Sequence, residues 1–356
     1  MLFRSLGALV QTYPMYGPAR NSLGATYGEL GLYERSIPEY REALRLEPES
    51  SGVYGNLARS YRNLNRYDEA RATVVEAQGK NLDSPYLRLQ LYALAFLQND
   101  SALMEEQVAF GASKPGQEDR FLGAAALTSA YSGQIEKALM LFQRAIASAG
   151  QGQKKETEAG YAAEAALGEA LSGNEGKARQ WAASALQHST GRDVQYAAAL
   201  ALAFAGDASR AQSLAEDLDK RLPEDTIVQF IYLPTVHAQL ALHRKDAPKA
   251  IEVLQSSATY ELCCMYPVYV RGLAYLASHR GNEAAAEFQK ILDHRGIVLN
   301  EPIGALARLQ LGRAYAMQGD IPKAKPAYQD FLTVWKDADP DIPILKQAKA
   351  EYAKLH

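Results

Sequence analysis

The sequence predicts an all-α protein built as a stack of helical hairpins. Three observations carry this: a composition led by Ala and Leu, an internal period of 34 residues, and small turn residues recurring on that period. At 356 residues the chain exceeds the size at which one compact core keeps growing, so either two or three domains or a repeat array is expected. Pro is sparse, and no window alternates Val, Ile and Thr as a strand does.

Sliding the sequence by 34 residues lays Leu23, Gly24 and Tyr27 on Leu57, Ala58 and Tyr61. This period and pattern resemble the tetratricopeptide repeat (TPR), a helix–turn–helix unit. In the first repeat Leu23, Gly24 and Tyr27 lie on helix A, Gly31 makes the turn, Tyr40 and Ala43 lie on helix B, and Pro48 ends it. Small residues at positions 8, 20 and 27 admit close helix contact, and large ones at 4, 7, 11 and 24 fill the space between. The register gives starts near Gly17, Ser51, Pro85, Asp119, Ala159, Arg192, Ile231, Met265 and Ala305, with turns at Gly133, Gly173, Gly206 and Gly319. Leu311, Gly312 and Tyr315 repeat the helix A pattern in the last unit. The expected architecture is a right-handed α-α superhelical solenoid of about nine hairpins. The longer spacing before the fifth, seventh and ninth repeats places insertions near Gln151–Thr157, Glu224–Phe230 and Leu299–Gly304.

Residues 1–16 read as helix B of a preceding, incomplete repeat: Met1–Val10 has one Arg and no small-residue cleavage site, so it is no signal peptide and the chain begins part-way through an array. Residues 17–338 form the array and residues 339–356 a capping helix, with Leu345, Ala348, Tyr352 and Leu355 on one face and the array ending at His356. Pro248 and Pro322 suit the start of helix B, whereas Pro38 and Pro326 lie one turn inside it and predict a kink or a late helix start.

A net charge of −3, from 38 basic and 41 acidic residues, supplies no broad field for nucleic acid or an anionic membrane. The apolar stretch Tyr196–Ala205 is about half the length that spans a bilayer, so no membrane insertion of this chain is expected. The cysteines, Cys263 and Cys264, are adjacent and form no disulfide framework. No P-loop, GxSxG, SxxK or HExxH occurs, and the six histidines are dispersed, so no catalytic residue, metal site or cofactor is expected. Tyr27, Tyr61, Tyr275 and Tyr315 occupy a packing position and read as core. The carboxylate pairs Glu105–Glu106 and Asp339–Asp341 read as solvated.

In TPR hairpins, positions 2, 5, 9, 12 and 13 of helix A face the concave groove. Here they hold Arg59, Arg62 and Asn63, with Asn56 close by, and farther along Phe96, Tyr131, Tyr196, Phe204 and Tyr232. Arg59 and Arg62 share one helix face and suit a carboxylate. The chaperone-tail carboxylate clamp of other TPR proteins has counterparts at Asn21, Ala25, Asn56, Tyr86 and Gln90, where Asn56 alone matches and both lysines are missing. An acidic chaperone C-terminus is therefore not the expected ligand.

The stretches HRGIVLNEPIGALARLQLGRAYAMQGDIPKAKPAYQDFLTVWKDADPDIPILKQAKAEYAKL and LDSPYLRLQLYALAFLQND resemble the C-terminal TPR region of bacterial eukaryotic-like serine/threonine kinases. That resemblance implies a kinase domain and membrane helix ahead of the array, and an extracytoplasmic location for it. Without that layout the expected location is cytoplasmic. The chain itself has no Gly-rich loop, VAIK-type lysine, HRD or DFG, and His279-Arg280-Gly281 and His294-Arg295-Gly296 are superficially similar only. The expected function is a non-catalytic scaffold that holds a peptide or protein segment in its groove. The alternatives are an architectural module self-associating through the incomplete first repeat, or an enzyme with an unrecognised pocket.

Overall fold

The computed structural model describes residues 2–355, with side chains from residue 6 onward; Met1 and His356, the two ends named above, lie outside the described residues. Among them α1 (Leu2–Thr12) precedes nine helical hairpins. These pair α2 (Gly17–Glu29) with α3 (Tyr33–Leu46), α4 (Ser51–Asn63) with α5 (Tyr67–Gly79), and α6 (Pro85–Gln98) with α7 (Ser101–Ala112). Next come α8 (Glu118–Tyr131) with α9 (Ile135–Gln151), α10 (Lys155–Ser172) with α11 (Glu175–His188), and α12 (Arg192–Phe204) with α13 (Ala208–Arg221). The last three pair α14 (Leu233–His243) with α15 (Ala247–Val253), α16 (Tyr266–Ala277) with α17 (Gly281–Asp293), and α19 (Pro302–Met317) with α20 (Ile321–Val334). A short α18 (Arg295–Val298) lies between the eighth and ninth hairpins, and α21 (Pro343–Tyr352) follows the ninth.

Every hairpin turns through one residue in the left-handed region. Gly31, Gly133, Gly173, Gly206 and Gly319 do so in five of them, and Asn65, Asn99, Lys245 and His279 in the other four. Asparagine adopts this conformation at low cost. Lys245 and His279 take it because the carbonyls of the preceding helix need the amides that follow: Asp246 N–H donates to Ala241 O at 2.9 Å, and Arg280 N–H to Tyr275 O at 2.9 Å.

Inside the hairpins, the small position of helix A receives a large side chain from helix B. A Cβ placed on Gly24 would stand 2.8 Å from the Tyr40 ring, on Gly272 2.7 Å from Phe288, and on Gly312 2.7 Å from Tyr328. Tyr40, Phe288 and Tyr328 are buried, as are Ala58, Val74, Ala126 and Phe142 at the same positions of other hairpins. The third hairpin departs from the rule, because Tyr92 fills its small position; its helix B, α7, buries Gln107 and Gly111 and nothing else. Of the tyrosines expected in the core, Tyr61 is buried, whereas Tyr27, Tyr275 and Tyr315 are half-buried. Arg35, Arg280 and Lys323 lie over these three rings at 4.8, 4.7 and 5.5 Å.

Two compact units emerge. One consists of the chain up to Gly111 together with Leu262–Cys264 and His294–Leu299; the other consists of Ala112–Glu261, Met265–Asp293 and the chain from Asn300 onward. Within the second unit the ninth hairpin returns to the fourth. Trp335 Nε1 donates to Tyr131 O at 2.9 Å, Asp339 N–H to Gly133 O at 3.1 Å, and Glu136 N–H to Asp339 Oδ2 at 2.8 Å. Asp339 thus satisfies an amide in the first turn of α9 and is not the solvated carboxylate expected; Asp341 is exposed and pairs with Lys346 at 2.8 Å. In α21, Leu345 and Ala348 are buried, and Glu351 pairs with Arg313 at 2.8 Å.

The helices run through Pro38 and Pro326, which corrects the expected late start. Each proline ring is exposed and forfeits one amide near the N-terminus, while Tyr40 and Ala43, or Tyr328 and Phe331, hold the rest of the helix in the core. The extra residues of the fifth repeat are absorbed by the long α9 and α10, and those of the seventh by a π-helical turn, Val228–Tyr232, that leads into α14. The seventh helix B ends early at Val253 and continues as 3-10 turns to Cys263.

The interlock makes opposite predictions for two glycines of the second unit. Gly272→Ala should destabilise by about 1–3 kcal/mol through overpacking against Phe288. Gly160→Ala, with no atom within 4 Å of the added methyl, should stabilise by roughly 0.5–1 kcal/mol from helix propensity alone. Urea denaturation of both variants checks the pair.

Candidate functional site

On α4, Asn56, Arg59, Arg62 and Asn63 lie along one face at helical spacing, turned toward α2 and α6. Asn56 links those helices: its Nδ2 donates to Asn21 Oδ1 at 3.1 Å, and Tyr86 Oη donates to its Oδ1 at 2.9 Å. Arg59 sits among Tyr86, Tyr40 and Tyr33; burial works against its charge, but these phenols outweigh it and its pKa is raised. Burial in turn pushes Tyr40 and Tyr33 up to about 12.

Arg62 is the most enclosed charge on this face. Its Nη1 donates to Gln90 Oε1 at 3.0 Å, its Nη2 to Asn63 Oδ1 at 2.9 Å, and its Nε to Gly296 O at 3.2 Å. Burial, followed by the like charge of Arg59, depresses its pKa to about 10. Among the described residues no carboxylate forms an ion pair with Arg59 or Arg62. A guanidinium this enclosed is normally paired, since the effective cost of taking an ion out of water is several kcal/mol. Here amide and peptide oxygens do that work.

One of those oxygens comes from far along the chain. Residues 294–299 lie against α4 and α6: Gly296 N–H donates to Asn65 Oδ1 at 2.9 Å, and Arg295 Nη2 donates to Leu97 O at 3.1 Å in the last turn of α6. Both peptide groups of Gly296 are therefore held by side chains of the second hairpin. A second segment, Leu262–Cys264, closes on the first hairpin, where Tyr33 Oη donates to Leu262 O at 2.9 Å. A Cβ on Gly31 would stand 2.7 Å from Cys263 N. Burial pushes the Cys263 thiol up to about 12, so it stays protonated and unreactive.

The nine groove residues named from the sequence are divided between the two units. Phe96 is half-buried on α6 in the same unit as the four α4 residues, and Tyr131, Tyr196, Phe204 and Tyr232 belong to the other unit. There Arg308 Nη1 donates to Tyr131 Oη at 3.0 Å. Tyr196 stacks on Tyr232 with centroids 3.7 Å apart, and Tyr232 Oη donates to Asp193 Oδ1 at 2.9 Å. Phe204 packs against the cluster of Ala238, Leu254 and Val270. Sequence reasoning missed Asn65 and Gly296 and set aside His294-Arg295-Gly296; the lengthened spacing before the ninth repeat was the one signal pointing there.

The second unit also holds two half-buried carboxyls close to one another. Asn300 Nδ2 donates to Ala124 O and to Thr128 Oγ1, both at 2.9 Å, which seats the start of α19 on α8. α19 also packs on α10. Burial raises Glu164 on α10 to about 7, and burial together with the Glu164 charge raises Glu301, at the head of α19, to about 8. Among the described residues no group of three or more His, Cys, Asp or Glu is placed to hold a metal ion.

Residues 29–94 and 269–341 each match a family profile described as tetratricopeptide repeat. The fold is a TPR-like helical solenoid. No curated protein gives a significant match. Among solved structures, the human IFIT1 dimer with PPP-AAAA aligns over 98% of this chain and 84% of that one, at 14% identity and a TM-score of 0.50. Yeast Tom70 aligns over 99% and 91%, at 15% identity and a TM-score of 0.34. The TPR domain of P58(IPK) aligns over 99% and 92%, at 12% identity and a TM-score of 0.26. At these identities the likeness concerns the fold alone.

The glutamate pair predicts a pH dependence. A carboxyl whose pKa is raised by folding binds its proton more tightly in the folded state, so its stabilising contribution is present at low pH. It falls as pH rises from the ordinary carboxyl range through about 8. The slope is at most about 1.4 kcal/mol per pH unit for each carboxyl. Glu301→Gln should flatten it and make the protein more stable than wild type above about pH 8, read by urea denaturation across the range.

Proposed function

We propose that the chain is a non-catalytic interaction scaffold that binds a peptide or protein segment along the face of Asn56, Arg59, Arg62 and Asn63, with Phe96 at its edge. The observation that carries this reading is that the face already holds a peptide. Asn65 and Arg62 satisfy the N–H and C=O of Gly296, and the end of α6 takes the arginine before it. Side chains that bind main-chain groups suit a ligand of peptide chemistry. Tetratricopeptide repeats serve in general as interaction modules, which agrees with this assignment.

The similarity of residues 82–100 and 294–355 to the TPR region of bacterial serine/threonine kinases extends the proposal: the array acts as the sensor or scaffold arm of such a kinase, on the extracytoplasmic side. No described helix is long and apolar enough to cross a membrane. A second reading, self-association through the first helix, is favoured by Tyr13, Met15 and Tyr16, which are 60%, 67% and 52% exposed beside α1.

A photocrosslinking residue placed at Asn56 of the full chain, and separately at the exposed Val75 on α5, tests the assignment in source-cell extract. Adducts specific to Asn56 are expected. Equal labelling at both positions would contradict the proposal, and adducts with a second copy of the chain would favour self-association.

A further inference from the structure

The segment seated on the Arg62 end of this face has the features of a ligand, in four respects. Gly296 makes a complementary pair of main-chain hydrogen bonds, at 2.9 Å to Asn65 and 3.2 Å to Arg62. Its α-carbon is pressed so closely on α4 that an added Cβ would stand 1.8 Å from the Arg62 carbonyl oxygen, leaving room for glycine alone. Arg295 reaches the C-terminal turn of α6, where the helix dipole favours a cation. Val298 is buried two residues farther on, which gives the motif an apolar anchor.

The segment is also held against its own conformational preference. Leu299 ends α18 at φ 49° and ψ −128°, a combination that a leucine adopts only where the surroundings compel it. The docking contacts of residues 294–298 therefore oppose a local backbone cost. Such a balance allows an incoming segment to compete.

We infer that residues 294–299 are an internal pseudo-ligand, and that the partner of this face is a peptide segment carrying an Arg-Gly-x-aliphatic turn that displaces them. The inference rests on the binding face assigned under Proposed function and adds its specificity and its control. The face reads a glycine by excluding every side chain and reads the preceding arginine by a carbonyl at the end of α6, and its Arg62 end is closed to other ligands while its own segment is seated. Apparent affinity for an external peptide is reduced by the fraction of molecules in which the internal segment is docked.

The test uses the full chain and a fluorescein-labelled peptide of residues 292–300, read by anisotropy. Gly296→Val evicts the segment by the clash with the Arg62 carbonyl and should bind the peptide about tenfold or more tighter than wild type. Adding Arg62→Ala should abolish that gain, and a peptide with valine in place of its glycine should not bind. Circular dichroism and a cooperative melt establish that Gly296→Val is folded; if it is not, Arg295→Glu, whose side chain is exposed, serves as the milder release and should show a smaller gain in the same direction. A folded release variant that fails to bind the peptide, or wild type that binds it equally well, overturns the inference. Because crosslinking at Asn56 does not depend on this peptide, the binding face can survive that failure.

Discussion

The contact on which this structure depends is the seating of a large helix B side chain against a residue with little or no side chain on helix A. Gly24 with Tyr40, Gly272 with Phe288 and Gly312 with Tyr328 are its instances with glycine, and Ala126, Phe142, Ala58 and Val74 are buried at the same positions of other hairpins. Close approach is what lets a two-helix unit bury a ring completely, a gain of about 1.5–3 kcal/mol for each such side chain. Where the pattern lapses the helix pair loosens. Tyr92 occupies the small position of the third hairpin, and α7 then buries little.

Because the interlock consumes one face of each helix A, its other face is free to carry polar groups. On α4 that face holds Asn56, Arg59, Arg62 and Asn63, and the energetics of Arg62 dictate what must lie against it. A buried guanidinium with no carboxylate needs oxygen acceptors, and Gln90, Asn63 and the Gly296 carbonyl provide them. Truncating Gln90 or Asn63 leaves a buried donor unsatisfied, at a cost of about 1–3 kcal/mol. Structure and recognition therefore share the same atoms: the requirement that stabilises Arg62 in the fold is the requirement that makes the face grip a peptide.

Much of the fold was legible because it is local. The 34-residue period, the helix A starts and the five glycine turns follow from packing within one hairpin and its neighbour. Where a turn lacked glycine, as at Lys245 and His279, the left-handed residue was not legible, since the demand comes from the helix carbonyls and not from the residue type. The candidate site was legible in part. Arg59 and Arg62 were placed on one face by spacing alone, but what covers them was hidden, because Arg62 and Gly296 are 234 residues apart and no period relates them. The same holds for Trp335 and Tyr131, 204 residues apart, and for Glu164 and Glu301, whose proximity arises only when α19 packs on α10. Residues such as Tyr196 and Phe204 occupied groove positions by register and proved to be in contact with neighbouring helices, which register cannot distinguish.

The central claim is that the α4 face holds a peptide through main-chain hydrogen bonds. Hydrogen–deuterium exchange of the Gly296 amide in the intact wild-type chain tests it most directly. A docked segment keeps that amide bonded to Asn65, so it should exchange far more slowly than a solvent-exposed amide, and Asn65→Ala should bring it close to the exposed rate. Exchange of the wild-type amide at the rate of an open loop would contradict the account.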